Sequence, residues 1–476
     1  MLLGIDLGTS SVKVAVVAED GTVKVSASAG YPMDSPRPGW AETDPGAWWL
    51  ATRSAMASLG VVHLGAIDAI GLSGQMHGAV LAHADGSALR PAILWADGRA
   101  VREVDRYRQL DPDLASRLAN PPGTGMAGPI LLWLKTHESA LYESARWALQ
   151  PKDWLRMQLT GEARGEPTDA SATLLYDFVE DAWSGEVLRT LEIREDLLPE
   201  LAGSEQMAGR LTAKAAGELG VKAGIPVAAG AADVAASLVG YGVLAPGAVV
   251  LTIGTGAQIT SVRDELTPDS TLRTNVFRTV EQGRWYSMAA ILNAGLALDW
   301  VRRVFGVGWD EFYSSIGRVP AGAGGVSFLP YVVGERAPGL DAGARARWSG
   351  IALHHGKEHL FKAALEGVAF ALRRAMESLE ATGISIEDLQ LAGGGAVNQA
   401  WRQTLADVLG KRLFAVRSAE AGARGAALLA GVAAGTFRSL QETAALAPRR
   451  ELVAAPGADA DTYSILYRAQ AAISTS

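Results

Sequence analysis

A chain of 476 residues is longer than one hydrophobic core usually serves, so two large domains are expected. Its 49% hydrophobic and 20% charged residues fit a folded globular protein, and a net charge of -8 argues against a nucleic-acid-binding surface. The absence of cysteine excludes disulfides, thiolate catalysis and cysteine-ligated zinc, and no apolar run approaches the ~20 residues of a membrane span.

The first stretch, Gly4-Ile5-Asp6-Leu7-Gly8-Thr9-Ser10-Ser11-Val12-Lys13, follows an apolar run that stops at an acid, turns through glycine and resumes as an alternating segment. Asp6 interrupts what would be a secretory apolar core, and no basic leader precedes it, so a cytoplasmic protein is expected. Asp20-Gly21 offers a second tight turn, and three antiparallel strands are predicted at 1–5, 12–17 and 22–26. The first turn gathers a carboxylate, a glycine, hydroxyls and a lysine. Bare glycine backbone admits an anion, hydroxyls donate to phosphate oxygens, and a carboxylate can hold hydrated Mg²⁺. An ordinary glycine hairpin is the alternative.

Asp44-Pro45 opens a predicted helix whose paired Trp48 and Trp49 read as core. Residues 66–72 read as a buried strand delivering Ser73-Gly74-Gln75-Met76-His77-Gly78 at its end, where open sheets commonly bind ligands. A lone histidine there is usually structural. Asp85-Gly86 marks a hairpin before Ile93-Leu94-Trp95-Ala96-Asp97-Gly98-Arg99. Trp95, Asp97 and Arg99 are types that grip a polyol by stacking and hydrogen bonding, or else form a strand-end salt bridge. Residues 101–161 read as mainly helical, including 128–137 and 151–159, and 166–171 as a polar turn. Residues 225–233 read as one buried strand running through small residues into Asp233, with a helix over 235–241. Asp233 is either closely approached by a ligand or the N-cap of that helix.

Pro246-Gly247 is read as a domain boundary. Beyond it Val249-Val250-Leu251-Thr252-Ile253-Gly254-Thr255-Gly256-Ala257-Gln258-Ile259-Thr260 repeats the opening pattern of strand, glycine–hydroxyl turn and strand. An internal duplication, with one turn on each wall of a cleft, is therefore expected; solenoid-type repeats are absent. Helices are predicted at 289–305 and 357–382, the latter with Leu360, Ala364, Val368, Leu372 and Leu379 on one face. His354, His355 and His359 resemble a metal cluster, but Gly356 breaks the helix that would align them, and they read as polar residues at a helix start. Leu389-Gln390-Leu391-Ala392-Gly393-Gly394-Gly395-Ala396-Val397-Asn398 is strand and triple-glycine turn before a helix over 399–409, and bare backbone at a helix N-terminus suits a nucleotide. A small-residue helix over 419–434 and an amphipathic one near 461–472 complete the chain.

Four glycine-bearing turns and a buried acid, in this order, resemble the sugar kinases of the FGGY family, within the actin-like ATPase superfamily, over residues 1–435. Gly74-Gln75-Met76-His77-Gly78, residues 92–99, Pro151-Lys152-Asp153, Phe328-Leu329-Pro330-Tyr331 and Gly334-Glu335-Arg336 are most similar to the family's xylulokinases. The resemblance implies an α/β fold with two ribonuclease-H-like domains flanking a deep cleft. Residues 1–244 would hold the sugar and the base, 245–440 the ATP, and 441–476 a tail with one helix.

The implied activity is ATP-dependent phosphorylation of a sugar hydroxyl, in its specific form D-xylulose to D-xylulose 5-phosphate, with ATP and Mg²⁺. By similarity Asp233 is the general base, and Asp6, with Asp233 as the second carboxylate at the metal, organises Mg²⁺. Thr9, Ser10, Lys13, Gly254 and Thr255 would face phosphates, while Gly393, Gly394, Gly395 and Asn398 would hold the nucleoside. Gln75, Met76 and His77, with Trp95, Asp97 and Arg99, would line the sugar site. The implied partners are a small sugar and ATP, with no nucleic acid or membrane, and a homodimer is compatible with the family.

Two positions depart from the pattern. Val234 stands where xylulokinases usually carry asparagine, and Gly254-Thr255-Gly256-Ala257 where relatives commonly carry Gly-Thr-Ser-Gly. The first bears on which sugar is preferred and the second on rate. Another ketose, a deoxy-sugar or a polyol is the alternative within the family. An actin- or chaperone-like ATPase is the alternative from another class, for which Gln75-Met76-His77 and the Trp95, Asp97, Arg99 set would have no use; the short tail also leaves no room for a peptide-binding domain.

Overall fold

The structure, a computed structural model, describes residues 1–335, 343–416 and 420–473. Arg336 of the glycine–acid motif and Ala419 at the expected helix start lie outside the described residues. The opening apolar run forms β1 (Leu2–Leu7), buried at every position except Asp6, which is only partly covered. It pairs antiparallel with β2 (Ser11–Val17), and β2 pairs with β3 (Val23–Gly30), as the turn chemistry predicts. α1 (Pro45–Ala57) starts at Asp44, whose side chain accepts from the Gly46 N–H. β4 (Ala69–Gly74) runs parallel to β1 and sets Ser73 beside Asp6.

Two further helices matter to the site, α2 (Pro151–Thr160) and the short α3 (Pro167–Ala170). β5 (Met207–Arg210), β6 (Pro226–Ala228) and β7 (Ala231–Ala232) complete a seven-stranded sheet in the order β5-β6-β4-β1-β2-β3, with β7 on β4. α4 (Asp233–Tyr241) follows directly.

A second seven-stranded sheet repeats the plan. β8 (Val249–Ile253) pairs antiparallel with β9 (Ala257–Arg263), and the order is β10 (Asn275–Arg278), β11 (Trp285–Ile291), β9, β8, β12 (Asp388–Ala392), β13 (Arg412–Val416), β14 (Arg450–Ala454). Each sheet thus has antiparallel strands on one side of its central strand, parallel strands on the other and an antiparallel closing strand. Its helices include α5 (Gly295–Val304), α6 (Lys357–Glu380), α7 (Gln399–Leu409), α8 (Ala421–Ala433) and α9 (Ala460–Ile473). The tail does more than supply one helix: β14 extends the second sheet, and Tyr463 of α9 donates to Glu366 of α6. No described helix is long and apolar enough to cross a membrane.

Several expectations are corrected. Residues 289–305 are not one helix: β11 runs to Ile291 before α5 begins at Gly295, because a buried apolar run of this length fits either period. Residues 225–233 are two strand pieces broken at Gly230, which adopts φ 81° and whose Cβ would lie 2.2 Å from Leu72 O. The polar segment 166–171 contains α3, with Glu166 accepting from the N–H groups of Thr168 and Asp169. The strand expected at 66–72 begins only at Ala69. At the helix start His359 Nδ1 accepts from the Gly356 N–H.

The two halves are joined by a pair of crossing helices. α8 leaves the second sheet and lies on the first: a Cβ at Gly4 would sit 1.6 Å from Ala423 O, and one at Gly71 1.9 Å from Ala426 O. α4 leaves the first sheet, and its Val234, Leu238 and Val239 share one apolar cluster with Val250, Val262 and Tyr286 of the second. Where the helices cross, a Cβ at Gly425 would lie 1.8 Å from Ala236 O and one at Gly240 2.0 Å from Ala421 O. Buried Arg424 ties the crossing, donating to the carbonyls of Gly21, Gly240 and Leu446 at 2.8, 2.6 and 2.6 Å. Backbone touches backbone here, so no rotamer change can make room. Gly425→Ala is expected to lower stability by about 3 kcal/mol or more in urea denaturation. Gly217→Ala, at an exposed helical position with nothing within 4 Å, is expected instead to raise it by about 0.5–1 kcal/mol.

Candidate active site

Two cavities border the neighbouring carboxylates Asp6 and Asp233, one at each. One of about 790 Å³ is lined by Asp6, Lys13, Tyr241, Gly393, Gly394 and Gly422 among others. The other, of about 860 Å³, is lined by Thr9, Gln75, Met76, His77, Trp95, Asp233 and Val234 from the first half. Gly254, Thr255 and Gly256 line it from the second half. The glycine–hydroxyl turns of both sheets therefore face one space, as the repeat of the opening pattern implies.

Asp6 ends the buried part of β1. Ser73 Oγ donates to its Oδ1 at 2.7 Å, and a Cβ at position 422 would lie 2.8 Å from its Oδ2, so only glycine leaves the carboxylate its place. Burial raises its pKa, against the Ser73 hydrogen bond and Lys13. Lys13, opposite Asp6 across the hairpin, pairs with Glu420 at 3.1 Å. The turn between them is braced: Gly8 N donates to Ser11 O at 3.0 Å, while Gly8 O accepts from Tyr31 OH and, at 3.2 Å, from Gln75 Nε2. Ser10 is exposed and outside both linings.

Asp233 is the first residue of α4 rather than its N-cap, which is Ala232. Its Oδ1 accepts from the Val234 N–H at 2.7 Å. Burial first, and the nearby Asp6 carboxylate second, push its pKa up to about 7. Such a carboxylate is poised to take a proton near neutral pH.

Met76 and His77 stand at the end of β4 and reach across the cleft. His77 has φ 75°, donates from Nδ1 to Ala172 O at 2.7 Å, and meets Phe277 of β10 edge-on at 5.8 Å. Tyr286 OH donates to Met76 Sδ at 3.8 Å. Trp95 Nε1 donates to Thr9 Oγ1 at 3.0 Å.

Asp97 and Arg99 do not join them. Asp97 is fully buried, its Oδ1 accepting from Arg99 N and Nε and its Oδ2 from Ala41 N and Arg99 Nη2; Arg99 also pairs with Glu42 at 2.6 Å and lies over Trp40. Both oxygens of the carboxylate are consumed, and the guanidinium is turned onto Asp97, Glu42 and Trp40. The salt-bridge alternative holds and the sugar-gripping one does not.

The triple-glycine turn divides likewise. Gly393 and Gly394 line the 790 Å³ cavity, whereas a Cβ at Gly395 would sit 2.7 Å from Ile253 Cγ2 and Asn398 caps α7 by accepting from Trp401 N. Gly395 and Asn398 thus support the turn instead of lining the cavity.

Sequence reasoning misses the second-half wall of the larger cavity, which includes Gln258, Arg273, Asn275 and Met288, and the tail's Glu451 and Val453 beside the smaller one. It also passes over a fully buried charge cluster. Lys152 Nζ lies 2.6 Å from Asp153, 3.0 Å from Glu166 and 2.9 Å from Asp169, and Arg156 pairs with Asp153 at 2.8 Å. Thr168 Oγ1 donates to Glu166 and accepts from Ala232 N at 2.8 Å, carrying the cluster's rigidity to the residue before Asp233. Lys152-Asp153 is visible as a motif, but nothing in it signals that partners 13 and more residues on converge there.

Two domains of this topology around a polar cleft are the fold of the actin-like ATPases, with a phosphate-type turn on each wall. The model of the FGGY family of carbohydrate kinases, N-terminal domain, matches residues 1–240, and that of its C-terminal domain residues 249–434. The chain belongs to the FGGY family of carbohydrate kinases. It is 35% identical to the xylulose kinase of Escherichia coli (strain K12), covering 98% of this chain and 96% of that one. It is 34% identical to that of Bacillus subtilis (strain 168), covering 93% and 90%. The ligand-bound xylulose kinase of Lactobacillus acidophilus superposes with a TM-score of 0.93 at 25% identity, covering 99% of this chain and 97% of that one.

The raised Asp233 pKa has a cost in stability. Between 3.8 and about 7 the folded state holds a proton that the unfolded state has lost, so stability falls as pH rises through that window. Asp233→Asn removes the penalty while keeping an acceptor for Val234 N. The variant is expected to melt above the native chain at pH 8, with the gap closing toward pH 4. Equal melting temperatures at pH 8 would contradict the assigned environment.

Proposed function

We propose that this carbohydrate kinase transfers the γ-phosphoryl group of ATP to D-xylulose, giving D-xylulose 5-phosphate, with Asp233 as general base. One observation carries the catalytic part: a carboxylate with a pKa of about 7 borders the larger cavity where it adjoins both glycine–hydroxyl turns. The choice of sugar is supported by the relatives named xylulose kinases, which cover nearly the whole chain.

In this reading residues 1–244 carry the sugar side and 245–440 the nucleotide side, with 441–476 as a tail. The sugar occupies the larger cavity against Gln75, Met76, His77 and Trp95. ATP lies in the smaller one, its base against the Gly393-Gly394 turn and its phosphates toward Asp6, Lys13, Thr9 and the Gly254-Thr255 backbone. The sugar hydroxyl forms its bond to the γ-phosphorus as the bond to ADP breaks, and its proton passes to Asp233. The transition state is loose, so positioning and charge neutralisation supply most of the rate.

Asp6 and Asp233 would hold the magnesium ion of the nucleotide, which would supply charge neutralisation at the phosphates. The cytoplasm, where ATP is plentiful, is the proposed compartment.

ADP release with ATP and Mg²⁺ across ketoses, aldoses and polyols tests the reading: D-xylulose should give the strongest response, and release independent of every sugar would sink it. Asp233→Ala should cut turnover by about 10²–10⁴-fold, and the native kcat/KM should decline as pH falls through about 7, where the base is protonated. Val234 lines the cavity and its side chain offers no hydrogen bond. Val234→Asn is therefore expected to lower KM for D-xylulose relative to other sugars; an unchanged sugar profile would remove this residue from the specificity argument.

A further inference from the structure

We propose that Trp95 is a positioning residue for phosphoryl transfer, its indole N–H orienting the Thr9 hydroxyl so that the threonine proton points at the transferring phosphate. The inference rests on the reading above, in which Thr9 faces the phosphates and the larger cavity holds the acceptor sugar.

The direction of the contact is fixed by chemistry. An indole N–H can only donate, so in the 3.0 Å pair Thr9 Oγ1 is the acceptor. A hydroxyl carries one proton, and with the indole occupying a lone pair that proton must point elsewhere. Among the described residues the Thr9 hydroxyl donates to no protein group, and both residues line the larger cavity. The turn backbone is already held without Trp95, through Gly8 N on Ser11 O and through Tyr31 and Gln75 on Gly8 O. What remains free at Thr9 is the rotation of its side chain and hydroxyl, and the indole restrains that rotation.

Trp95 can do so because it is itself anchored. Leu94 N donates to Ala41 O and Asp97 N to Leu94 O, both at 3.0 Å. The buried Asp97–Arg99–Glu42 ion pairs lock the next turn of chain. A Cβ at Gly125 would lie 1.9 Å from Trp95 O, so the following loop presses on the tryptophan backbone as well. The charged pair that looked like a sugar clamp thus serves the reaction at one remove, by fixing the segment that carries the indole. Because the same anchored side chain also lines the larger cavity, acceptor and phosphate contacts would share a single residue. A donor oriented beforehand need not reorganise as charge develops on the phosphoryl oxygens.

The test uses the full chain with ATP, Mg²⁺ and saturating D-xylulose, or whichever sugar the native chain phosphorylates best. Trp95→Phe keeps an aromatic face but loses the N–H together with part of the ring, so the double variant with Thr9→Val, not the single one, isolates the contact. Trp95→Phe alone is expected to lower kcat about tenfold or more while sugar KM moves less than about threefold. Thr9→Val should lower kcat at least as much, and adding Trp95→Phe to it should change kcat no further, because both variants break one contact. A merely structural tryptophan would not give this non-additivity. Three results would overturn the proposal: a native kcat in Trp95→Phe, a raised KM with kcat unchanged, or losses that multiply in the double variant. If Trp95→Phe melts early, Thr9→Val read against Thr9→Ser tests the same contact from the other end: serine should retain most of the activity that valine loses, and equal losses count against the proposal. A native chain that phosphorylates no sugar sinks the functional reading and this inference together, whereas an active native chain with an indifferent Trp95→Phe sinks this inference alone.

Discussion

The site depends on one steric constraint, the crossing of α4 and α8 at a distance that admits no side chain. Gly240 and Gly425 meet carbonyls of the facing helix, and Gly4 and Gly71 let α8 lie directly on the first sheet. Each helix starts beside one sheet and packs with the other, so the two halves are tied through the crossing. The N-terminal ends of both helices then border the two cavities, one at each. Asp233 is the first residue of α4, and Gly422, near the start of α8, abuts Asp6. The two carboxylates are neighbours because the helices are.

Magnitudes show which effect governs these acids. A helix N-terminus favours a negative charge by about 0.3–1 kcal/mol, up to about 2 in partly buried sites. The rise of Asp233 from 3.8 to about 7 corresponds to roughly 4 kcal/mol in the opposite direction. Desolvation, with Asp6 adding to it, outweighs the dipole. The same enclosure is maintained on the far side of the cleft, where the first half covers the free edge of β10. Asn120 accepts from Val276 N and donates to Val276 O, imitating a strand partner, while Ser171 Oγ accepts from Arg278 N and Asp181 pairs with Arg278. An uncovered edge would expose backbone groups to water and to other chains. Here it is satisfied by side chains of the first half.

What is legible in the sequence follows from this physics. Turns that let backbone approach an anion require glycine, and glycine is visible, so the Asp6, Gly254 and Gly393 turns can be located from residue types alone. The doubled topology is legible for the same reason, through repeated strand, turn and strand. Position 233 is legible as an acid after small residues, but not its place as first helical residue, because strand and helix pieces of two or three residues carry no period. Asp97 and Arg99 mislead because a buried ion pair and a sugar clamp use the same residue types; only the partners Ala41 and Glu42, over 50 residues away, decide between them. The crossing itself is hidden. Small residues at 240, 422, 423 and 425 announce close packing without saying against what.

Specificity is the least legible property, because its wall is assembled from both halves. Asn275, Gln258 and Met288 reach the cavity only once the second sheet faces the first. Within that wall Val234 places an apolar side chain beside Asp233, yet Gln75 offers a polar atom: its Nε2 is spent on Gly8 O, while its Oε1 is buried without a protein partner among the described residues. An unsatisfied buried acceptor costs about 1–3 kcal/mol, a penalty that a ligand donor would relieve. A sugar that donates a hydroxyl to Gln75 gains that free energy on binding, and an analogue lacking the hydroxyl leaves the penalty in place. A donor at Gln75 Oε1 would thus relieve a buried unsatisfied acceptor, whereas the Val234 side chain has no polar atom to satisfy.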